Sequence, residues 1–204
     1  MDANGRWKEY NECVKKPTIW IIILAFAGAL IFTFWSGGEP LTAPQNEASM
    51  QELKIMSSAF AHNGMMPKRF TCDGTDTIPP LDIAGIPAGT KTLALIMHDP
   101  DAPRPGGWTH WVIYNIKMEN ENSKMTIGEG EEPNGIAGRG TGGELTYQGP
   151  CPPSGTHRYF FMVYALDATL PLGAGSTKAE LEEVMQGHIL GEGEFIGLYS
   201  RKRP

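Results

Sequence analysis

The longest apolar run lies near the N-terminus. Thr18 to Trp35 reads TIWIIILAFAGALIFTFW, 18 consecutive residues without a charge. As a helix it would span about 27 Å, close to the hydrocarbon thickness of a bilayer. Trp20 and Trp35 sit near its ends, where an amphipathic ring suits the headgroup region. Pro17 suits a helix start and Ser36-Gly37-Gly38 a stop. The run is apolar on every face, which argues against a buried core helix. It is also longer than the apolar part of a signal peptide and ends in bulky Phe32, Phe34 and Trp35. The pattern therefore predicts an uncleaved transmembrane helix over 18–35. Arg6, Lys8, Lys15 and Lys16 precede it, and Lys54 is the first basic residue after it. The positive-inside rule then predicts a cytoplasmic tail, 1–17, and an extracytoplasmic remainder.

Residues 36–52 carry Gly, Pro, Ser and Asn without an apolar period and read as a linker. One domain, 53–204, follows. Leu53-Lys54-Ile55 opens it. Thr92–Met97 is nearly continuous in apolar residues, as a strand buried on both faces would be. His110–Ile116, Arg158–Leu166 and Phe195–Tyr199 are rich in aromatic and β-branched residues and read as strands. One helix is expected late. Thr177 and Glu180 fit a capping box, Leu181, Val184 and Met185 share a face, and Gly187 and Gly191 offer stops. Strands with a single late helix predict a mostly β domain rather than a βαβ sheet.

Composition adds three constraints. Of 204 residues, 25 are Gly and 16 Pro, which suits turns and short strands. The net charge of −6 offers no sequence-wide footprint for nucleic acid. Three cysteines are too few for a disulfide-built scaffold.

Ionisable residues collect with rigid turn residues in three places. His98-Asp99-Pro100-Asp101-Ala102-Pro103 follows the buried strand, and the prolines stiffen the exit that holds both acids. Read alone, it is equally an Asp-Pro turn. Trp108-Thr109-His110-Trp111 puts a histidine between two indoles at the next strand's start. A carboxylate such as Asp99 would orient that ring, although a structural histidine has the same pattern. Gly149-Pro150-Cys151-Pro152-Pro153-Ser154-Gly155-Thr156-His157-Arg158-Tyr159 is a rigid loop feeding an apolar strand. Strand alternation puts His157 and Tyr159 on one face and Arg158 on the other, with Asp101 a candidate partner for Arg158. No G-x-S-x-G, P-loop, HExxH or CxxC pattern occurs, so neither a metal nor another cofactor is called for. The Gly-rich stretch 135–143 reads as a loop packed against the site.

Taken in order, DPDAP, W-x-H-W and GPCPPSGTHRYFFxxYALD resemble the phosphatidylethanolamine-binding protein (PEBP) family, in its prokaryotic Raf-kinase-inhibitor-like branch. FTCDG at 70–74 and TKAEL at 177–181 match that branch too. The resemblance covers about Leu53 to Arg201. It implies a β-sandwich with few short helices and a small anion pocket at one end. The matching pocket residues are Asp99, His110, Pro152, Pro153, His157 and Tyr159, supported by an Asp101–Arg158 ion pair. The membrane segment is not part of the family domain.

The resulting expectation is a membrane-anchored binding module for a small anion or a phosphorylated or phospholipid headgroup. The alternatives are an inhibitor or regulator of a kinase or protease, with no target indicated, and a small hydrolase with His110 as base. No nucleophile is placed for the last. Two histidines in one pocket predict tighter phosphate binding at pH 6 than at pH 8. Cys72 and Cys151 would be the two cysteines outside the cytoplasm, where an oxidising compartment permits a disulfide. Two separate buried thiols are the alternative, since a bridge needs Cα atoms within about 7 Å and sequence alone does not give that distance.

Overall fold

The computed structural model describes residues 50–118 and 123–201. The expected segment 18–35, the tail before it and most of the linker lie outside the described residues. Among the described residues, no helix is long and apolar enough to cross a membrane.

The strands are β1 (Gln51–Glu52), β2 (Lys54–Met56), β3 (Gly64–Met65), β4 (Leu81–Ala84), β5 (Thr92–Asp99), β6 (Trp108–Lys117), β7 (Lys124–Ile127), β8 (Ile136–Ala137), β9 (Thr156–Leu166) and β10 (Ile189–Ser200). Helix α1 (Lys178–Met185) lies between β9 and β10, and a short 3-10 turn spans Lys68–Phe70. The larger sheet runs β1-β10-β9-β5-β6-β8, with β3 also on β10, and the smaller runs β2-β4-β7.

Between the sheets, Ile55, Leu81, Ile83 and Ile127 from the small one meet Leu93, Leu95, Met97, Trp111, Phe161, Val163 and Phe195 from the large one. On the far face of the large sheet, Ala94, Ile96, Val112 and Tyr114 pack under Leu170 and the α1 residues Leu181 and Met185. This second cover explains why Thr92–Met97 is apolar without alternation: both faces of β5 are buried. β9 alternates as expected: Tyr159, Phe161 and Val163 join the inter-sheet core, and buried His157 shares their face of the strand.

Two boundaries differ from the sequence expectation. Gln51 and Glu52, assigned to the linker, form β1 parallel to β10. Gly191, assigned to a helix stop, lies inside β10 opposite Gln51; a Cβ there would sit 2.5 Å from the Gln51 carbonyl oxygen. Its role is close backbone approach between strands, which a local reading of helix stops misses.

The capping box forms as expected. The Thr177 side chain accepts from the Glu180 N–H, and Glu180 accepts from the Thr177 N–H at 2.7 Å. Thr177→Ala should cost about 1 kcal/mol in urea unfolding; an unchanged midpoint would show that packing of Leu181 and Met185 alone fixes the helix.

Candidate ligand-binding site

The two strand exits and the proline loop converge at one end of the large sheet. β5 ends on Asp99, which is 3% exposed. Both of its oxygens are committed. Oδ1 accepts from the Asp101 N–H at 2.8 Å, and Oδ2 accepts from His157 Nδ1 at 2.7 Å. His157 arrives on β9, two residues before Tyr159. Outside this pair, Asp101 accepts from the Arg158 N–H, Nε and Nη2 at 2.9, 2.9 and 2.8 Å. These Arg158 hydrogen bonds hold the Asp101 carboxyl at about 2, well below the usual carboxylate range.

His110 reaches the same end through a break in strand register. Met97 pairs with Trp111 and the next residue, His98, with Thr109, so His110 is an extra residue in β6. Such a bulge re-aims a side chain. Here it brings the His110 ring edge-on to Tyr159, with centroids 5.2 Å apart. His110 Nδ1 donates to the Gln148 carbonyl at 2.9 Å. Asp99 therefore orients His157 and not His110, which corrects the sequence expectation. The partner of His110 is a backbone carbonyl, invisible in residue types.

Burial pushes the His110 pKa down to about 4, against smaller upward pulls from the Gln148 carbonyl and Asp99. The ring stays neutral from pH 8 to pH 6, so it supplies no added charge for the expected preference at pH 6. It affects stability instead. The unfolded ring takes its proton near 6.5 and the folded ring only near 4. Between those values the unfolded state holds the extra proton, so acidification lowers stability, by about 3 kcal/mol in full. A urea-midpoint series from pH 7 to pH 4 should show this decline, and His110→Gln should flatten it. An equally steep decline in the variant would assign it to other groups.

The cavity at this end holds about 450 Å³ and is lined by Asp99, His110, Pro152, Pro153 and His157 among the expected residues. Tyr159 differs. It is fully buried and packs against both histidine rings rather than forming cavity wall. Its hydroxyl is buried without a hydrogen-bond partner among the described residues. Burial, with Asp99 and Asp101 nearby, raises its pKa, so it remains a neutral donor.

Sequence reasoning missed several lining residues, including Asp76, Arg104 and Gln148. Asp76 accepts from the Gly149 N–H at 2.7 Å, and burial raises its pKa. A Cβ on Gly149 would meet the Asp76 carboxylate at 2.1 Å and the Phe70 carbonyl at 2.5 Å, so only glycine fits. That glycine heading the proline loop was the available signal. Cys72 and Cys151 also line the cavity, and they form a disulfide with Cα atoms 5.5 Å apart. The Gly-rich stretch packs beside the site: the Thr141 hydroxyl accepts from the Thr109 N–H at 2.9 Å.

With this geometry, comparison with known proteins is specific. Residues 56–200 match the family described as phosphatidylethanolamine-binding protein. A UPF0098 protein of Methanothermobacter thermautotrophicus is 47% identical over 151 residues, 73% of this chain and 99% of its own length. The crystal structure of a PEBP homolog, CT736, from Chlamydia trachomatis is similar at TM-score 0.69 and 37% identity, covering 74% of this chain and 99% of that one. E. coli YbcL, described as a member of the mammalian PEBP family, gives 0.67 and 28%, covering 74% and 99%. The fold, the motifs and the similarity lead to one conclusion: the chain belongs to the phosphatidylethanolamine-binding protein family.

Proposed function

We propose that the domain is a binding module whose cavity holds a small phosphorylated group, as a free anion or as a phospholipid headgroup. One observation carries the reading. Two imidazoles line one cavity, each tied back through Nδ1 to an atom that can only accept, the Asp99 carboxylate or the Gln148 carbonyl. Nδ1 therefore carries hydrogen in both, and each Nε2 is left for a ligand. A neutral His110 offers Nε2 as an acceptor. It suits a ligand that brings its own donor, such as a protonated phosphate oxygen or the ammonium of an ethanolamine headgroup. The alternative hydrolase loses support, since Asp99 is spent on His157 and Ser154 is not among the lining residues.

The uncharged run 18–35 supports a tether that places this cavity outside the cytoplasm. A membrane-impermeant thiol reagent on intact cells, after reduction, should then label Cys72 or Cys151 and not Cys13. Labelling of Cys13 alone would reverse the orientation.

Titration calorimetry of the full-length chain with phosphoethanolamine and with inorganic phosphate tests the binding function. Saturable heat is expected for at least one, lost in Ala102→Trp, which puts an indole into the cavity from a lining position. Absence of binding to both, or full binding by the blocked variant, would refute it.

A further inference from the structure

The charges around the cavity pose a problem for an anion. Asp76 and Asp99 are both on its wall, and His110 is neutral near pH 7. Asp99 is hydrogen-bonded to His157, and neither carboxylate attracts a phosphoryl group. Among the lining residues, Arg104 carries the one fixed positive charge.

Its setting differs from that of Arg69, Arg158 and Arg201, which are paired with Glu129, Asp101 and Asp73 at 2.9, 2.8 and 3.1 Å. The Arg104 side chain forms no hydrogen bond or ion pair with any described residue. Its guanidinium instead lies over the Trp108 ring, 5.4 Å from the centroid. Trp108 is itself a lining residue, so the indole is a platform that keeps the cation at the cavity. The backbone is held as well: the Arg104 N–H donates to the Ala102 carbonyl at 2.7 Å, and the Arg104 carbonyl accepts from the Gly107 N–H at 3.2 Å. The donors of a planar guanidinium match phosphoryl oxygens in pairs, and here no carboxylate competes for them.

We propose that Arg104, carried on Trp108, is the residue that binds the anionic phosphoryl group at this cavity and sets its preference for phosphorylated ligands. The inference rests on the binding function above and adds its charge determinant. The buried histidines fix the orientation of the bound group, and Arg104 supplies the attraction that the cavity otherwise lacks. The phosphoryl group is common to a free phosphate and to a lipid headgroup, and the experiment separates the two sources.

The test uses the full-length chain, wild type, Arg104→Gln, Arg104→Lys and Ala102→Trp, with inorganic phosphate in one arm. In the other arm are phosphatidylcholine vesicles with or without phosphatidic acid. Arg104→Gln should weaken binding about tenfold or more in whichever arm the wild type binds. Arg104→Lys should retain part of it, since the charge remains and the paired donors do not. Urea midpoints of both Arg104 variants should stay close to the wild type, because this exposed side chain forms no hydrogen bond or ion pair with any described residue and only stacks on Trp108. Wild-type affinity in Arg104→Gln, with binding lost in Ala102→Trp, would overturn the role of Arg104 and leave the binding function standing. No wild-type binding in either arm would overturn the role of Arg104, and if phosphoethanolamine also fails to bind, the binding function with it.

Discussion

A chain with Cys72 and Cys151 both replaced by serine is expected to unfold at markedly lower urea than the oxidised wild type. The two residues are 79 apart in sequence. In the chain-entropy picture, closing such a loop stabilises by about 4.5 kcal/mol, and removing natural disulfides costs about 2–5. The bridge ties the segment after the 3-10 turn to the proline loop, and the Cys72 N–H already donates to the Pro150 carbonyl at 3.2 Å. Both cysteines line the cavity beside Pro152 and Pro153, so the wall of the site should loosen with the bridge. Unfolding with and without reductant, read beside the double variant, measures it. The reduced wild type should track the variant. Coincident midpoints for oxidised and reduced protein would show that hydrogen bonding alone holds the loop.

The second large effect concerns Asp99 and His157. Removing His157 as alanine leaves a carboxylate that is 3% exposed, with the Asp101 N–H as its one remaining partner among the described residues. Breaking a buried pair from one side costs about 3–5 kcal/mol. His157→Ala is therefore expected to destabilise the fold as well as the site. His157→Gln retains a donor and should cost less. Asp99→Asn combined with His157→Gln should recover part of the loss, because no buried charge is stranded. Denaturant unfolding of the three variants decides it. A His157→Ala chain as stable as wild type would mean that water reaches Asp99 freely.

The main strands were legible because their side chains declare their surroundings. The unbroken run in β5 reports two covers, and the alternation in β9 reports one core-facing side. β1, β3, β4, β7 and β8 were not read, being two to four residues long and held by pairing rather than by pattern. The site shows the same division. DPDAP, W-x-H-W and H-R-Y named side chains that do converge. What joins them could not be read from residue types: the extra residue at His110, the Gln148 carbonyl that takes its Nδ1, and the choice of His157 as partner for Asp99. Arg104 sits one residue beyond DPDAP and has no local pattern. Its position over Trp108 depends on how the loop folds back.

His110 and His157 are expected to present their free ring nitrogens to one phosphorylated ligand. Histidine side-chain NMR of the full-length chain, labelled with nitrogen-15 and titrated with phosphoethanolamine, examines it most directly. His62 and His188 serve as internal references, since neither lines the cavity. Saturable shifts of the Nε2 signals of His110 and His157 with a common binding constant are expected, while His62 and His188 stay in place. Stationary signals from both cavity histidines, or equal movement of all of them, would contradict it.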